Sequence, residues 1–337
     1  MSADAISRPL TLAPERKSAP MTKLLLVLLI VAGAVIPLLV KNSPFLMLLA
    51  SHALIAGIVA LSLDVLTGNV GLLSFGHATW YGFGAYGAGL AAKHLSPELF
   101  VVLPLTAAAA AVTALLIGLI LVRQVGKTFA ILTLALSQIA FAAVFVFSMV
   151  TGGEDGLQGI PSPTLLGIAI NRPDVWYWLL YAALVASLAL ALHVRRSPMG
   201  KTCIAIRENT ERARFIGIDV GRVKLLAYIS SAALAAMAGG LHALFTGAAS
   251  PDLLHWTESG KILMYAVLGG VGTLVGPVIG AGAFTVAEHY VSSWTDSWQI
   301  YFGGLFVLVV IVAPGGLFGV GRVWWQKLAR RGAQGAR

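Results

Sequence analysis

Between Leu24 and Gly319 the chain returns repeatedly to apolar stretches close to the length of a bilayer crossing, and no water-soluble core of 337 residues absorbs that many. They run at about 24–40, 44–66, 78–93, 99–122, 128–150, 175–193, 223–245, 261–276, 278–293 and 299–319. Hydrophobic residues make up 58% of the chain and charged residues 11%, with a mean hydropathy of +0.86. Too little polar surface remains to cover a soluble fold. The expected fold class is an all-α polytopic membrane protein with about ten transmembrane helices. The third, eighth and ninth stretches are rich in glycine and proline, and each also reads as a broken or re-entrant helix.

The net charge of +9 does not point to nucleic acid, because the basic residues gather in short connections between apolar stretches. Arg123 and Lys127 occupy one connection. Arg195, Arg196, Lys201, Arg207, Arg212, Arg214, Arg222 and Lys224 occupy a second, and Arg322, Lys327, Arg330 and Arg331 the tail. The connection 151–174 carries Glu154, Asp155 and Asp174 against Arg172. This alternation places both termini in the cytoplasm. It divides the chain into a cytoplasmic leader (1–23), a transmembrane region (24–319) containing a cytoplasmic loop (194–222), and a basic cytoplasmic tail (320–337). The small residues Ala32, Gly33 and Ala34 lie inside the first apolar stretch rather than after it, so that stretch reads as an uncleaved signal anchor. The single cysteine, Cys203, supports neither a disulfide framework nor a cysteine-rich metal site.

The stretch LTGNVGLLSFGHATWYGFGAYGAG, Leu66 to Gly89, weakens its own helices with glycine, each costing roughly 1 kcal/mol relative to alanine in a helix interior. On a helix, Ala78, Gly82, Ala85 and Gly89 form one stripe of small residues that admits a close neighbour. Upstream, the glycines between Gly68 and Ser74 predict a helix break. His77 has a hydroxyl and glycines nearby rather than metal-ligand companions. A structural hydrogen-bonding role is its first reading and a place on a transport path its second. The segments Gly68-Asn69-Val70-Gly71-Leu72-Leu73 and Gly269-Gly270-Val271-Gly272-Thr273-Leu274 resemble each other, as two halves of an internal repeat would. Gly71, Ser74, His77, Gly269 and Gly272 are therefore candidates for lining a translocation path.

The run Gly71-Leu72-Leu73-Ser74-Phe75-Gly76-His77-Ala78, followed by Gly82-Phe83-Gly84-Ala85-Tyr86, resembles the signature of LivM-type permeases, integral subunits of bacterial ABC importers for branched-chain amino acids. Further matches follow in order. They are Thr151 to Leu157 with Gly159-Ile160-Pro161, Ser197 to Lys201 with Ala205 to Asn209, Leu268 to Pro277, and Pro314 to Gly319. The resemblance implies a multi-pass subunit of the bacterial inner membrane that translocates branched-chain amino acids or related small polar solutes. It also implies a second homologous permease, two ATPase subunits and an extracytoplasmic solute-binding protein as partners. This chain would bind no cofactor, with ATP and Mg used by the ATPases.

In the basic loop, Asn209 is placed to cap a short helix with Glu211 in its first turn, Arg212 and Arg214 following, and Gly217 as the stop. Glu211-x-Ala213-x-x-x-Gly217 resembles the cytoplasmic coupling motif of ABC importer permeases, with Arg212 where that motif has its middle alanine. Glu211, Arg212, Ala213, Arg214 and Gly217 are thus the candidate contacts to an ATPase. Two segments, Gly126-Lys127-Thr128 and Gly200-Lys201-Thr202, imitate the end of a phosphate-binding loop. The glycine required five positions earlier is Leu121 in one and Arg195 in the other, so neither is a P-loop, and under the importer reading a separate ATPase brings the nucleotide chemistry. No H-E-x-x-H or G-x-S-x-G motif suggests an intramembrane enzyme. An ion-coupled secondary transporter is the alternative, with Asp64, Glu288 and His289 as candidate ion sites. The positions of Asp64 and Glu288 near predicted helix ends suggest access to water.

Overall fold

A computed structural model describes residues 19–40, 43–124, 126–295, 297–312 and 315–319. Most of the leader and the whole basic tail lie outside the described residues. The principal helices among them are α1 (Ala19–Val40), α2 (Pro44–Val70), α3 (His77–His94), α4 (Leu99–Leu121), α5 (Lys127–Val146), the single turn α6 (Ser148–Thr151), α7 (Pro173–Arg196), α8 (Pro198–Glu208), α9 (Thr210–Phe215), α10 (Val220–Thr246), α11 (Trp256–Gly269), α12 (Val275–Ser292) and α13 (Trp298–Val312). A two-residue antiparallel pair, Thr164–Leu165 with Ile168–Ala169, decorates the connection before α7.

Every apolar stretch of the sequence holds a helix, and the protein is an all-α polytopic membrane protein. Six segments meet the length and apolarity of a crossing: Pro44–Val70, Leu99–Leu121, Lys127–Val146, Pro173–Arg196, Val220–Thr246 and Gln299–Gly319. The others differ for physical reasons. The 14 residues of α11 span only about 21 Å at 1.5 Å per residue, short of a hydrocarbon core of about 30 Å. The break before α3 begins later than the glycines suggest. Helix α2 continues through Gly68 and Asn69 to Val70, because Gly68 lies against Gly272 and the Asp64 side chain.

Gly71 then turns the chain with φ of +81°, its N–H donating to the Thr67 carbonyl at 3.1 Å. Residues 72–76 run back without helix into the fold, and the Phe75 N–H donates to Thr133 Oγ1 of α5 at 3.1 Å. Helix α3 starts beside Ser231, the twelfth residue of α10, so it begins near the level of that helix's midpoint. The centre of the protein is the crossing of α3 and α10, flanked by α2 and α4.

The stripe Ala78, Gly82, Ala85 and Gly89 meets several neighbours, with only Ala85 beside Gly239 of α10. An added methyl at Gly82 would meet Leu253 and Leu254 of the turn before α11, and one at Gly89 would meet Leu157 and Ile160. The Ala78 N–H donates to Ser259 Oγ of α11 at 2.9 Å. The close helix contact uses the neighbouring face, where Gly84 abuts the Ala236 carbonyl and Gly239 abuts the Tyr81 carbonyl. Backbones approach so closely there that a Cβ has no room.

Candidate functional site

The two glycine breaks predicted from sequence meet in space. Asp64, fully buried on α2, accepts the backbone N–H of Gly272 at 2.5 Å through Oδ1 and that of Leu274 at 3.0 Å through Oδ2. Leu274 has φ of +61°, an uncommon value for a branched side chain, and its hydrogen bond to Asp64 helps hold it there. Arginines from the basic loop region close the arrangement. Arg195, at the end of α7, donates to the Gly272 carbonyl at 2.6 Å, and Arg207 of α8 donates to the Gly68 carbonyl. Both guanidinium groups act electrostatically on the Asp64 carboxylate. A buried carboxylate without partners is prohibitive, whereas two N–H donors and two nearby cations make it a fixed anchor. The expectation that Asp64 sits near water at a helix end is therefore corrected.

Gly71 and Gly272 face the same arginine: an added methyl would lie 3.1 Å from Arg207 Cγ at Gly71 and 2.9 Å from its Nη1 at Gly272. Gly269 instead packs α11 against the start of α12, where its Cα abuts Gly276. Ser74 and His77 are buried. His77 Nε2 is 2.9 Å from Ser231 Oγ, and the Ser231 hydroxyl donates to the Ser62 carbonyl at 2.6 Å. That hydroxyl's single proton is thereby used, so Nε2 carries the imidazole proton and donates it. None of these five path candidates lines the cavity of about 560 Å³ between the ends of α2, α7 and α10, whose wall includes Ser51, Asn171, Trp176 and Phe245. Gly71 and Gly272 meet at Arg207, with Gly71 exposed and Gly272 half-buried.

The basic loop folds as its capping signals dictate. The Asn209 side chain accepts the Arg212 N–H at 2.8 Å at the start of α9. At the other end Gly217 adopts φ of +87°, with its N–H donating to Arg214 and the Ile218 N–H reaching back to Ala213 at 3.1 Å. Ala213 is buried, while Glu211 and Arg214 form an exposed pair at 3.2 Å. Beside them Phe215 and Ile216 are 87% and 71% exposed. Sequence reasoning passed over these two, although adjacent large apolar residues amid charges were the available signal. Cys203 on α8 is buried, and burial pushes its thiol up to about 11. Of the alternative ion sites, Glu288 pairs with Lys261 at 3.5 Å and the His289 ring lies 4.7 Å from that of Phe45.

The family model described as branched-chain amino acid transport system / permease component matches residues 45–314. The chain belongs to this family. The permease is 30% identical over 318 residues to the high-affinity branched-chain amino acid transport system permease protein LivM of Escherichia coli K12, covering 88% of this chain and 74% of that one. It is 36% identical over 137 residues to LivH of Salmonella typhimurium, covering 40% and 44% of the two chains. It is 30% identical over 132 residues to BraD of Pseudomonas aeruginosa, covering 39% and 43%. No solved structure matches the permease.

Proposed function

We propose that this permease is the membrane subunit of an ABC importer that translocates branched-chain amino acids or closely related small solutes, using ATP and Mg bound by separate ATPase subunits. Its similarity to LivM over most of both chains supports this reading. The observation that carries the mechanism is the continuous connection from α9, through α8, to the two glycine breaks. Glu211, Arg212, Arg214, Phe215 and Ile216 offer an ATPase a mixed charged and apolar surface, and buried Ala213 seats the helix on the protein. Movement of α9 carries α8 with it, and Arg207 on α8 holds the Gly68 carbonyl. Displacement of that arginine therefore loads the ends of α2 and α11 together, through Asp64 and Gly272. The consequence is rocking of the short helices α3, α11 and α12 against the long ones, as alternating access requires.

In this reading a second homologous permease completes the path, two ATPases bind the cytoplasmic side, and a solute-binding protein delivers substrate from outside. The ten helical stretches act as ten crossings or broken crossings, both termini face the cytoplasm, and the two glycine segments are remnants of a repeat. The reading is tested by reconstituting the permease with these partners in vesicles and measuring leucine uptake. Uptake that requires ATP and the binding protein supports it. Uptake by the permease alone, driven by an ion gradient, replaces it with the secondary-carrier alternative.

A further inference from the structure

A second set of ionisable side chains lies at the end of α11 remote from the Asp64 junction. Glu258 and Lys261 are one turn apart on α11, and Glu288 reaches them from α12. Lys261 Nζ lies 3.0 Å from Glu258 Oε2 and 3.5 Å from Glu288 Oε1. His242 of α10 is within electrostatic reach of Lys261, and its ring centroid is 5.8 Å from that of His52 on α2. The edge of Tyr81 on α3 packs on the same imidazole at 5.6 Å. Polar groups from five helices thus converge on one region.

This region differs from the Asp64 junction in one decisive respect. Asp64 is sealed, whereas the side chains of Glu258, Lys261 and Glu288 retain 16%, 28% and 22% of their exposure. Ionised groups partly open beside apolar helices face water, a water-filled path or another subunit, because hydrocarbon does not solvate them. Their order is also informative. An ammonium held between two carboxylates leaves the triad one charge negative, with imidazoles beside it. A carboxylate pair attracts an incoming ammonium, while Lys261 and the histidine protons attract a carboxylate. One turn deeper, Tyr265 and Phe284, with ring centroids 5.0 Å apart, provide an apolar wall on the same two helices.

We infer that Glu258, Lys261 and Glu288, with His242 beside them, form a transient subsite for the charged end of a zwitterionic amino acid passing between the outer face and the Asp64 junction. This inference rests on the importer reading. Its test uses the complete reconstituted importer and radiolabelled leucine, with Lys261→Met and the isosteric Glu288→Gln. Maximal uptake is expected to fall by about tenfold or more in both, while the half-saturating concentration of loaded binding protein stays unchanged. Complex yield and binding-protein-stimulated ATP hydrolysis should persist, so more ATP is spent per leucine. Lys261→Arg should recover part of the rate. Wild-type uptake by both variants overturns the subsite, as does loss of uptake in proportion to complex yield, which marks a structural ion pair. Absence of ATP-driven leucine uptake by the wild-type assembly overturns the importer reading itself, and the subsite with it.

Discussion

The carboxylate of Asp64 and the backbone N–H of Gly272 meet at 2.5 Å although 208 positions separate them in the chain. With Leu274 on the other oxygen, one side chain fixes the loop between α11 and α12 against the C-terminal end of α2. Asp64→Asn keeps the shape but turns an NH2 toward a backbone donor, leaving a buried N–H unsatisfied at a cost of about 1–3 kcal/mol. The detergent-purified protein should melt several degrees lower. An unchanged melting temperature would falsify the anchoring role.

Arg207→Lys retains a positive charge on α8 and loses the guanidinium that donates to the Gly68 carbonyl. ATP-driven uptake should fall severalfold with complex yield preserved, while ATP hydrolysis continues. Equal losses of uptake and hydrolysis would assign Arg207 to assembly rather than to transmission.

At Gly217 no atom lies within 4 Å of an added Cβ, so only the backbone, with φ of +87°, resists substitution. Gly217→Val should strain the end of α9 by roughly 1–2 kcal/mol and reduce uptake without blocking membrane insertion. Asparagine tolerates the left-handed region, so Gly217→Asn should retain most activity. If both variants transport normally, the geometry of this turn does not matter for coupling.

Gly84 and Gly82 are two residues apart, but their substitutions should differ. Alanine at Gly84 collides with the Ala236 main chain, whereas at Gly82 the nearest obstacle is the movable Leu254 side chain. Gly84→Ala should destabilise by about 1–3 kcal/mol or more and Gly82→Ala by less, as read by thermal melting. The reverse order would contradict the α3–α10 contact.

Cys203 should resist maleimide at neutral pH even in permeabilised cells, because the thiol is buried and burial pushes it up to about 11. Labelling should rise as pH approaches that value and should be fast once the protein is unfolded. Cysteines introduced at exposed Gln158, Thr257 and Arg212 are better reporters. Outside labelling of the first two and inside labelling of the third is the expected pattern. Rapid labelling of native Cys203 would contradict its burial.

The helices were legible because hydrocarbon demands long apolar segments, and the cap of α9 was legible because Asn209 and Gly217 satisfy local backbone needs. The breaks at Gly71 and Gly272 also carried a local signal. Their meeting did not, since nothing near Asp64 in sequence specifies a loop 208 residues onward. Ending α2 at Leu66 in the sequence reading moved Asp64 toward water, whereas its helix continues to Val70 and surrounds it with protein. The α3–α10 contact was missed for a similar reason. Small residues lie on more than one face of α3, and the choice between Gly82 and Gly84 is made by α10, not by α3 itself.

The separation of Asp64 from its donors also has a consequence for biosynthesis. At about 5–20 residues per second, roughly ten to forty seconds of translation elapse between the synthesis of Asp64 and that of Gly272. Throughout that interval α2 carries a carboxylate whose amide donors have not been made. A chain arrested before Gly272 holds an acid in its interior with neither of these N–H groups to receive it. The last quarter of the polypeptide therefore does more than add helices to a finished bundle: its arrival supplies the donors that make burial of Asp64 on α2 tolerable.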